Sequence, residues 1–369
     1  MSSSTPASPP VPTAEQLRRA PKVVLHDHLD GGLRPATLVE LADEIGHDLP
    51  ASDPEALAAW VQRAADSGSL ELFLEPFAHT GAVLQTLHGL ERVAREWVLD
   101  LAADGVVHAE ARFAPELSTA GGLSMEEVMD AVLAGLHAGE AEATAAGSPI
   151  RAGAIVCAMR QADRSGEAAR LALSRRDAGV VGFDIAGPEA GFPASRHAGA
   201  FALLREELFP FTIHAGEAVG PESVGDALAM GASRIGHGVR VLEDVHPPQG
   251  HGGLPRLGRV AAYVRDRQVP LEVCPRSNTQ TGASPSIAGH QVTALRDLGF
   301  TITLSSDDRL WTGTTLTDEM VLLAQEAGWD WDDFRQVTLD SLDAAFLPQD
   351  QRMALLEQVV VPGWLEPQD

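Results

Sequence analysis

A chain of 369 residues, 44% of them hydrophobic, suits one large α/β domain or two ordinary ones built on a sizeable core. With 52 acidic against 27 basic residues the formal net charge is -25, and solubility is enough to account for it. Nucleic acid and acidic membrane surfaces are gripped through Lys and Arg clusters, so both are disfavoured as partners.

The first residues, to about Pro12, are rich in Ser, Pro and Thr and carry neither a basic segment nor an apolar run of signal-peptide type. They read as a disordered tail over 1–14, ahead of a single domain over 15–369. No apolar run approaches the roughly 18 residues needed to cross a bilayer. Cys157 and Cys274 both fall in apolar, strand-like stretches, which indicates neither a disulfide framework nor a Cys-rich zinc site. The Cys-x-x-Cys signature of one class of zinc deaminases is absent. A reducing, cytoplasmic setting is expected.

Lys22 is the only lysine, and it directly precedes the apolar run Val23-Val24-Leu25-His26-Asp27-His28. It stands at the wrong end of that run to reach a site at the other, which disfavours Schiff-base chemistry and a carboxylated lysine bridging two metals. In a strand His26 and His28 share a face while Asp27 points away. Two converging imidazoles begin a transition-metal site, but alone they fit a half-buried strand with incidental histidines equally well. Residues 35–45 are amphipathic, with Pro35 suited to a first helical turn and Gly46 to a stop. The stretch 53–104 is largely helical in pattern, more than one βα unit needs, and predicts an insertion after strand 1. Trp60, Phe73 and Phe77 in it read as lid and core.

An alternating rhythm follows. Strands are predicted over 105–113, 150–157, 180–185, 211–214, 234–237, 270–274 and 300–305. Helices are predicted over 124–146, 164–178, 195–208, 221–230, 257–267 and 293–298, with more beyond the last strand. Eight strands alternating with helices imply parallel pairing with right-handed crossovers. The pattern fits a (β/α)8 TIM barrel with a helical insertion and extra C-terminal helices, and a doubly wound sheet shares the same periodicity. Polar residues decide between them: His26, His28, His214, His237, Asp307 and Asp308 all fall at strand C-terminal ends. A closed barrel brings those ends to one mouth, whereas an open sheet holds strands 1 and 8 far apart.

In order along the chain, Leu25-His-Asp-His-Leu-Asp-Gly-Gly, Gly182-Phe-Asp-Ile-Ala-Gly187, His214-Ala-Gly-Glu217, Arg234-Ile-Gly-His-Gly238, Cys274-Pro-Arg-Ser-Asn278 and Ser306-Asp-Asp308 resemble the motifs of the adenosine deaminase family. The resemblance runs from about Lys22 into the C-terminal helices. It implies one Zn²⁺ per subunit, held by His26, His28, His214 and Asp307, a donor set that suits zinc and leaves a position for water. It implies Glu217 as proton donor to purine N1 while hydroxide attacks C6, with partial burial raising its pKa. His237 and Asp307 would manage the hydroxide, and a ligand role for His237 stays open. His28, Asp30, Gly187 and Asp308 are implied as substrate contacts, Asp30 to the ribose hydroxyl, Gly187 to purine N3 and Asp308 to N7. Residue by residue there are plainer readings: Asp307 as a cap, His214 as a core histidine, Glu217 as a solvated helix-start glutamate. The implied activity is hydrolytic deamination of adenosine or 2′-deoxyadenosine. The alternatives are another 6-aminopurine as substrate, an inactive nucleoside-binding homologue, and a different metal-dependent amidohydrolase.

The chain departs from the family pattern at Asp27, at Ser305-Ser306, at Pro188 after Gly187, and at Arg309 after Asp307-Asp308. These positions border the purine pocket and put substrate preference in question. His246 and His251 in a Pro/Gly-rich stretch read as a solvated loop, and Asp163-Arg164 and Glu206-Glu207 as solvated faces.

Overall fold

The structure, a computed structural model, describes residues 11–67, 70–248 and 254–365, the side chains of residues 70–74 excepted. Most of the expected tail, including residues 1–10, and His251 lie outside the described residues. The first helix, α1 (Ala14–Arg19), starts one residue before the boundary drawn at 15, within the expected tail. Thr13 and Gln16 cap each other's backbone there, a reciprocal pairing that a composition-based reading of the tail does not weigh.

Among the described residues eight parallel strands follow: β1 (Lys22–His28), β2 (Val106–Phe113), β3 (Arg151–Met159), β4 (Val180–Ala186), β5 (Thr212–Ala215), β6 (Arg234–His237), β7 (Leu271–Val273) and β8 (Ile302–Leu304). They pair in order within two four-stranded sheets, β1 to β4 and β5 to β8. Isolated parallel bridges join the sheets at both seams, Phe183 with Phe211 and Asp27 with Asp307, so the strands form a ring. The second seam is zipped by backbone bonds from His28 N to Asp307 O (2.8 Å) and from Asp307 N to His26 O (3.1 Å). Because all strands run the same way, their C-terminal ends meet on one rim.

Between β1 and β2 stand α2 (Pro35–Ile45), α3 (Pro54–Ala65), α4 (Leu70–Val83) and α5 (Leu87–Ala103), the insertion expected from the sequence. Gly46 ends α2 at φ 68°, a conformation that costs glycine nothing. Trp60 and Phe77 pack against the core, with Phe77 stacked on Trp311 at 4.1 Å between ring centroids. Two predicted helices split: 164–178 becomes Ser165–Ser174 plus a 3-10 turn, and 195–208 a 3-10 turn plus Ala198–Glu206.

The helix expected over 257–267 starts later, at Arg259. Arg256 and Leu257 instead pair antiparallel with His246 and Val245. Its cap comes from outside the segment, since Asp244 accepts from the N–H groups of Val260 and Ala261 (2.9 and 3.0 Å), which no local pattern announces. His246 lies in that antiparallel pair, opposite Arg256.

Lys22 sits at the opposite end of β1 from His28. Buried, it donates to the carbonyls of Leu17, Ala20 and Arg18 at 2.6, 3.0 and 3.1 Å, and burial lowers its pKa to about 8. Cys157 and Cys274 are buried and free. No helix among the described residues is long and apolar enough to cross a membrane.

Candidate active site

Strand alternation sends His26 and His28 to the same side of β1, and β5 brings His214 up to meet them. His28 Nε2 lies 3.3 Å from His214 Nε2, while Asp307 Oδ1 lies 3.2 Å from His26 Nε2 and 3.4 Å from His28 Nε2. An ion bound tetrahedrally at the usual ~2.0–2.1 Å requires donor atoms roughly 3.3 Å apart, so these separations are those of a coordination polyhedron's edges. His26 Nε2 is buried and has no hydrogen-bond partner, an uncompensated lone pair that an ion would satisfy. Burial lowers His214 to about 4 and His28 well below its usual range, which keeps both rings in the neutral form that ligates. The four residues therefore fit a single divalent ion.

What aims these rings was not foreseen from the sequence. Glu272 Oε2 faces His26 Nδ1 at 2.9 Å, and Asp184 Oδ2 faces His214 Nδ1 at 2.8 Å. A carboxylate on the Nδ1 side leaves Nε2 free for a metal. Arg112 sits between those two carboxylates, 2.9 Å from Asp184 and 2.8 Å from Glu272, and Arg234 ties Glu272 to Glu110 at 2.6 Å on each side. Every one of these side chains is buried. The available signal was a lone charge inside each apolar strand (Asp184, Glu272), since buried charges need partners. Ser277 completes the set by donating to Asp307 Oδ2 at 2.6 Å.

A second grouping places Cys274 Sγ with donor atoms of His26, His237 and Asp307, all within 4.8 Å. Burial, reinforced by Asp307, holds the Cys274 thiol well above its usual pKa, and a thiol that keeps its proton is a poor ligand.

Beside the ligand set, His237 Nε2 stands 3.6 Å from Glu217 Oε2 and 4.0 Å from Asp307 Oδ2. Asn278 contacts His237 Nδ1 at 3.2 Å, and Thr281 donates to Glu217 Oε1 at 2.9 Å. Glu217 keeps 23% of its side-chain surface exposed. The turn that carries it is fixed by Glu189, which accepts from four consecutive backbone N–H groups, Gly216 to Val219, at 2.6–3.2 Å. Pro188 thus precedes a carboxylate that shapes this turn. His237 and Asp307 adopt φ 60° and 62°, backbone strain of the kind that gathers at functional sites.

Asp30 and Asp308 lie on the same rim, and each has a buried Oδ1 without a hydrogen-bond partner. Asp308 lies against the chain beside Asp30 because Gly31 has no side chain: a Cβ there would fall 1.8 Å from Asp308 Oδ1. Gly187 ends β4's run at φ 101°, where a Cβ would come 2.7 Å from Gln161 Oε1. Metal candidates, Glu217, His237 and the two aspartates thus share one rim. Arg164 and Glu207 instead form exposed pairs, with Glu167 and Arg176.

A family model described as adenosine deaminase matches residues 21–362. An adenosine deaminase of Mycobacteroides abscessus is 51% identical over 350 residues, 94% of this chain and 96% of that protein. One of Mycolicibacterium gilvum is 52% identical over 354 residues, 95% and 97% of the two chains. Among solved structures, an adenine deaminase from Arthrobacter aurescens superposes with a TM-score of 0.78 at 25% identity, covering 93% of this chain and 98% of its own.

Proposed function

Since the chain belongs to the adenosine deaminase family, we propose that it hydrolyses the 6-amino group of adenosine and 2′-deoxyadenosine, giving inosine or 2′-deoxyinosine and ammonia. The observation that carries this reading is the convergence of His26, His28, His214 and Asp307 at 3.2–3.4 Å beside Glu217 and His237. In it, those four residues hold one Zn²⁺. When bound, the ion supplies acidity, lowering the pKa of a water toward ~7 and so making a nucleophile available at neutral pH.

The chain's own groups do the rest. Glu217 delivers a proton to purine N1, which makes C6 electrophilic; Thr281 holds its carboxyl, and Glu189 fixes the backbone that carries it. His237, steadied by Asn278, directs the incoming oxygen toward C6 and balances its developing charge. The buried oxygens of Asp30 and Asp308 receive the substrate: Asp30 accepts from the ribose hydroxyl, and Asp308, pushed well above the usual carboxylate range by burial and the neighbouring Asp307, keeps a proton to donate to N7, while His28 lines the approach. Gly187 offers its backbone N–H to N3, where a side chain would obstruct. One water is consumed and one ammonia leaves.

The test is a panel of adenosine, 2′-deoxyadenosine, adenine and N6-methyl-AMP, followed by the ultraviolet shift on deamination, with metal content measured alongside. Adenosine and its deoxy form are expected to react fastest with one zinc per chain. Metal-loaded protein that turns over none of them overturns the reading, and a preference for adenine transfers it to the free base. Glu217→Gln is expected to lose roughly 10²–10⁴-fold in turnover while retaining metal.

A further inference from the structure

Asp27 on one side and Ser306 and Arg309 on the other, read from the sequence as departures from the family pattern, lie far apart in the chain, and the fold gathers them onto one carboxylate. Asp27 is fully buried on β1 between His26 and His28, facing away from the ring interior. Its Oδ2 accepts from Ser306 Oγ at 2.7 Å and from Arg309 Nε at 3.1 Å, and its Oδ1 from the indole N–H of Trp97 on α5. The Arg309 guanidinium extends toward Asp100 (3.7 Å), which Arg34 grips from the other side at 2.6 Å. Gly32 leaves room for this arrangement, because a Cβ there would fall 2.8 Å from Arg309 Nη2 and 3.1 Å from Trp97 Cδ1.

Ser306 and Arg309 bracket Asp307 and Asp308. Asp307 is held at φ 62°, a conformation that a residue with a side chain keeps only when its surroundings over-determine it. Backbone bonds zip its peptide to His26 and His28, and the Asp27 carboxylate seizes the chain on both sides of it. One buried anion is therefore linked through the backbone to two candidate metal ligands and through hydrogen bonds to both flanks of a third. Asp27 is costly there without Arg309, since a fully buried charge without its counterpart is destabilising.

We propose that Asp27 and Arg309 are positioning residues: their ion pair, with Ser306, clamps the Asp307-Asp308 segment against His26 and His28 and sets the geometry of the ligand set. This rests on the function proposed above. The clamp acts on the site before any substrate arrives, so it registers in metal retention as well as in turnover.

The experiment compares Asp27→Asn, Arg309→Gln and the double variant, each loaded with zinc. Zinc release to excess chelator is measured without substrate, and kcat and KM are measured with adenosine. Each single variant is expected to release zinc faster and to lose kcat by roughly tenfold or more, with KM moving less. The double variant places two neutral amides together, leaves no unpaired charge, and is expected to recover most of the loss. Variants that melt earlier but release zinc and turn over like wild type overturn the proposal, as does a double variant whose loss is the product of the single losses. Should a single variant not fold, Arg309→Lys replaces it, keeping the charge without the planar fork; unchanged release and kcat there overturn the proposal too. Wild-type protein that holds no metal or leaves adenosine intact overturns the reading of the site itself. Wild type that does both while the variants match it removes the clamp alone.

Discussion

The ring of strands is closed at two seams, and they are built from opposite materials. Where β4 meets β5, Phe183 bridges to Phe211, and Phe201 packs against both rings at 6.0 and 5.0 Å, all three buried. Where β1 meets β8, Asp27 bridges to Asp307 amid serines, histidines and Arg309. There Ser305 Oγ accepts from His26 N at 3.1 Å. The aromatic seam gains stability from apolar area withdrawn from water and tolerates small displacements. The polar seam gains little net free energy, because each buried charge spends its Coulombic attraction on its own desolvation. What it gains is direction, since hydrogen bonds fix where donor atoms point. One seam holds the barrel shut, and the other holds the candidate ligands.

Three substitutions test that division. The largest effect is expected from Asp307→Asn, which tolerates the positive φ but removes the anionic donor. Turnover should fall roughly 100-fold or more and zinc should be lost more readily, while the metal-free protein melts no earlier than wild type. A marked drop in the metal-free melting temperature would mean that the polar seam carries stability after all. Phe201→Ala should do the reverse, costing about 3–5 kcal/mol in denaturant titration through the cavity it leaves, with kcat per folded molecule unchanged. A loss of kcat in the folded fraction would instead join the aromatic seam to the chemistry.

The smallest effect concerns Glu319, buried on the helix Leu316–Ala327 next to the segment that supplies Ser277. It accepts from the backbone N–H of Arg276, next to Ser277, and from Thr314. Burial pushes its pKa from 4.5 up to about 8. Between those values the folded chain keeps a proton that the unfolded chain has released, so its contribution to stability declines as pH rises from 4.5 to 8. Glu319→Gln cannot ionise, and should raise the melting temperature at pH 8 by about 2–4 °C with little change near pH 5. A variant that melts earlier than wild type at pH 8 would show that the buried carboxylate is compensated and the seam is less costly than argued.

How much of this was legible beforehand follows from which signals are local. Strand and helix order could be read from hydrophobic periodicity, and helix stops such as Gly46 from the αL preference of glycine. The start of the helix at Arg259 was placed two residues early because its cap, Asp244, lies 15 residues upstream. In the site, His26 and His28 signalled themselves by their i, i+2 spacing. Glu272 and Arg112, 160 residues apart in sequence, could not show that they meet at 2.8 Å.

The sequence by itself determined the alternation of strands and helices, the insertion after β1, and a set of polar residues at strand ends. Those are consequences of periodicity and of residue type, which act over a few positions. It also marked Asp27, Ser306 and Arg309 as departures without supplying a reason for any of them. Only the tertiary structure decided that these three share one carboxylate, that Asp184 and Glu272 aim the imidazoles, and that Glu189 fixes the turn bearing Glu217. The physical reason is burial: inside a protein a charge must find its partner, and the fold chooses that partner from distant parts of the chain.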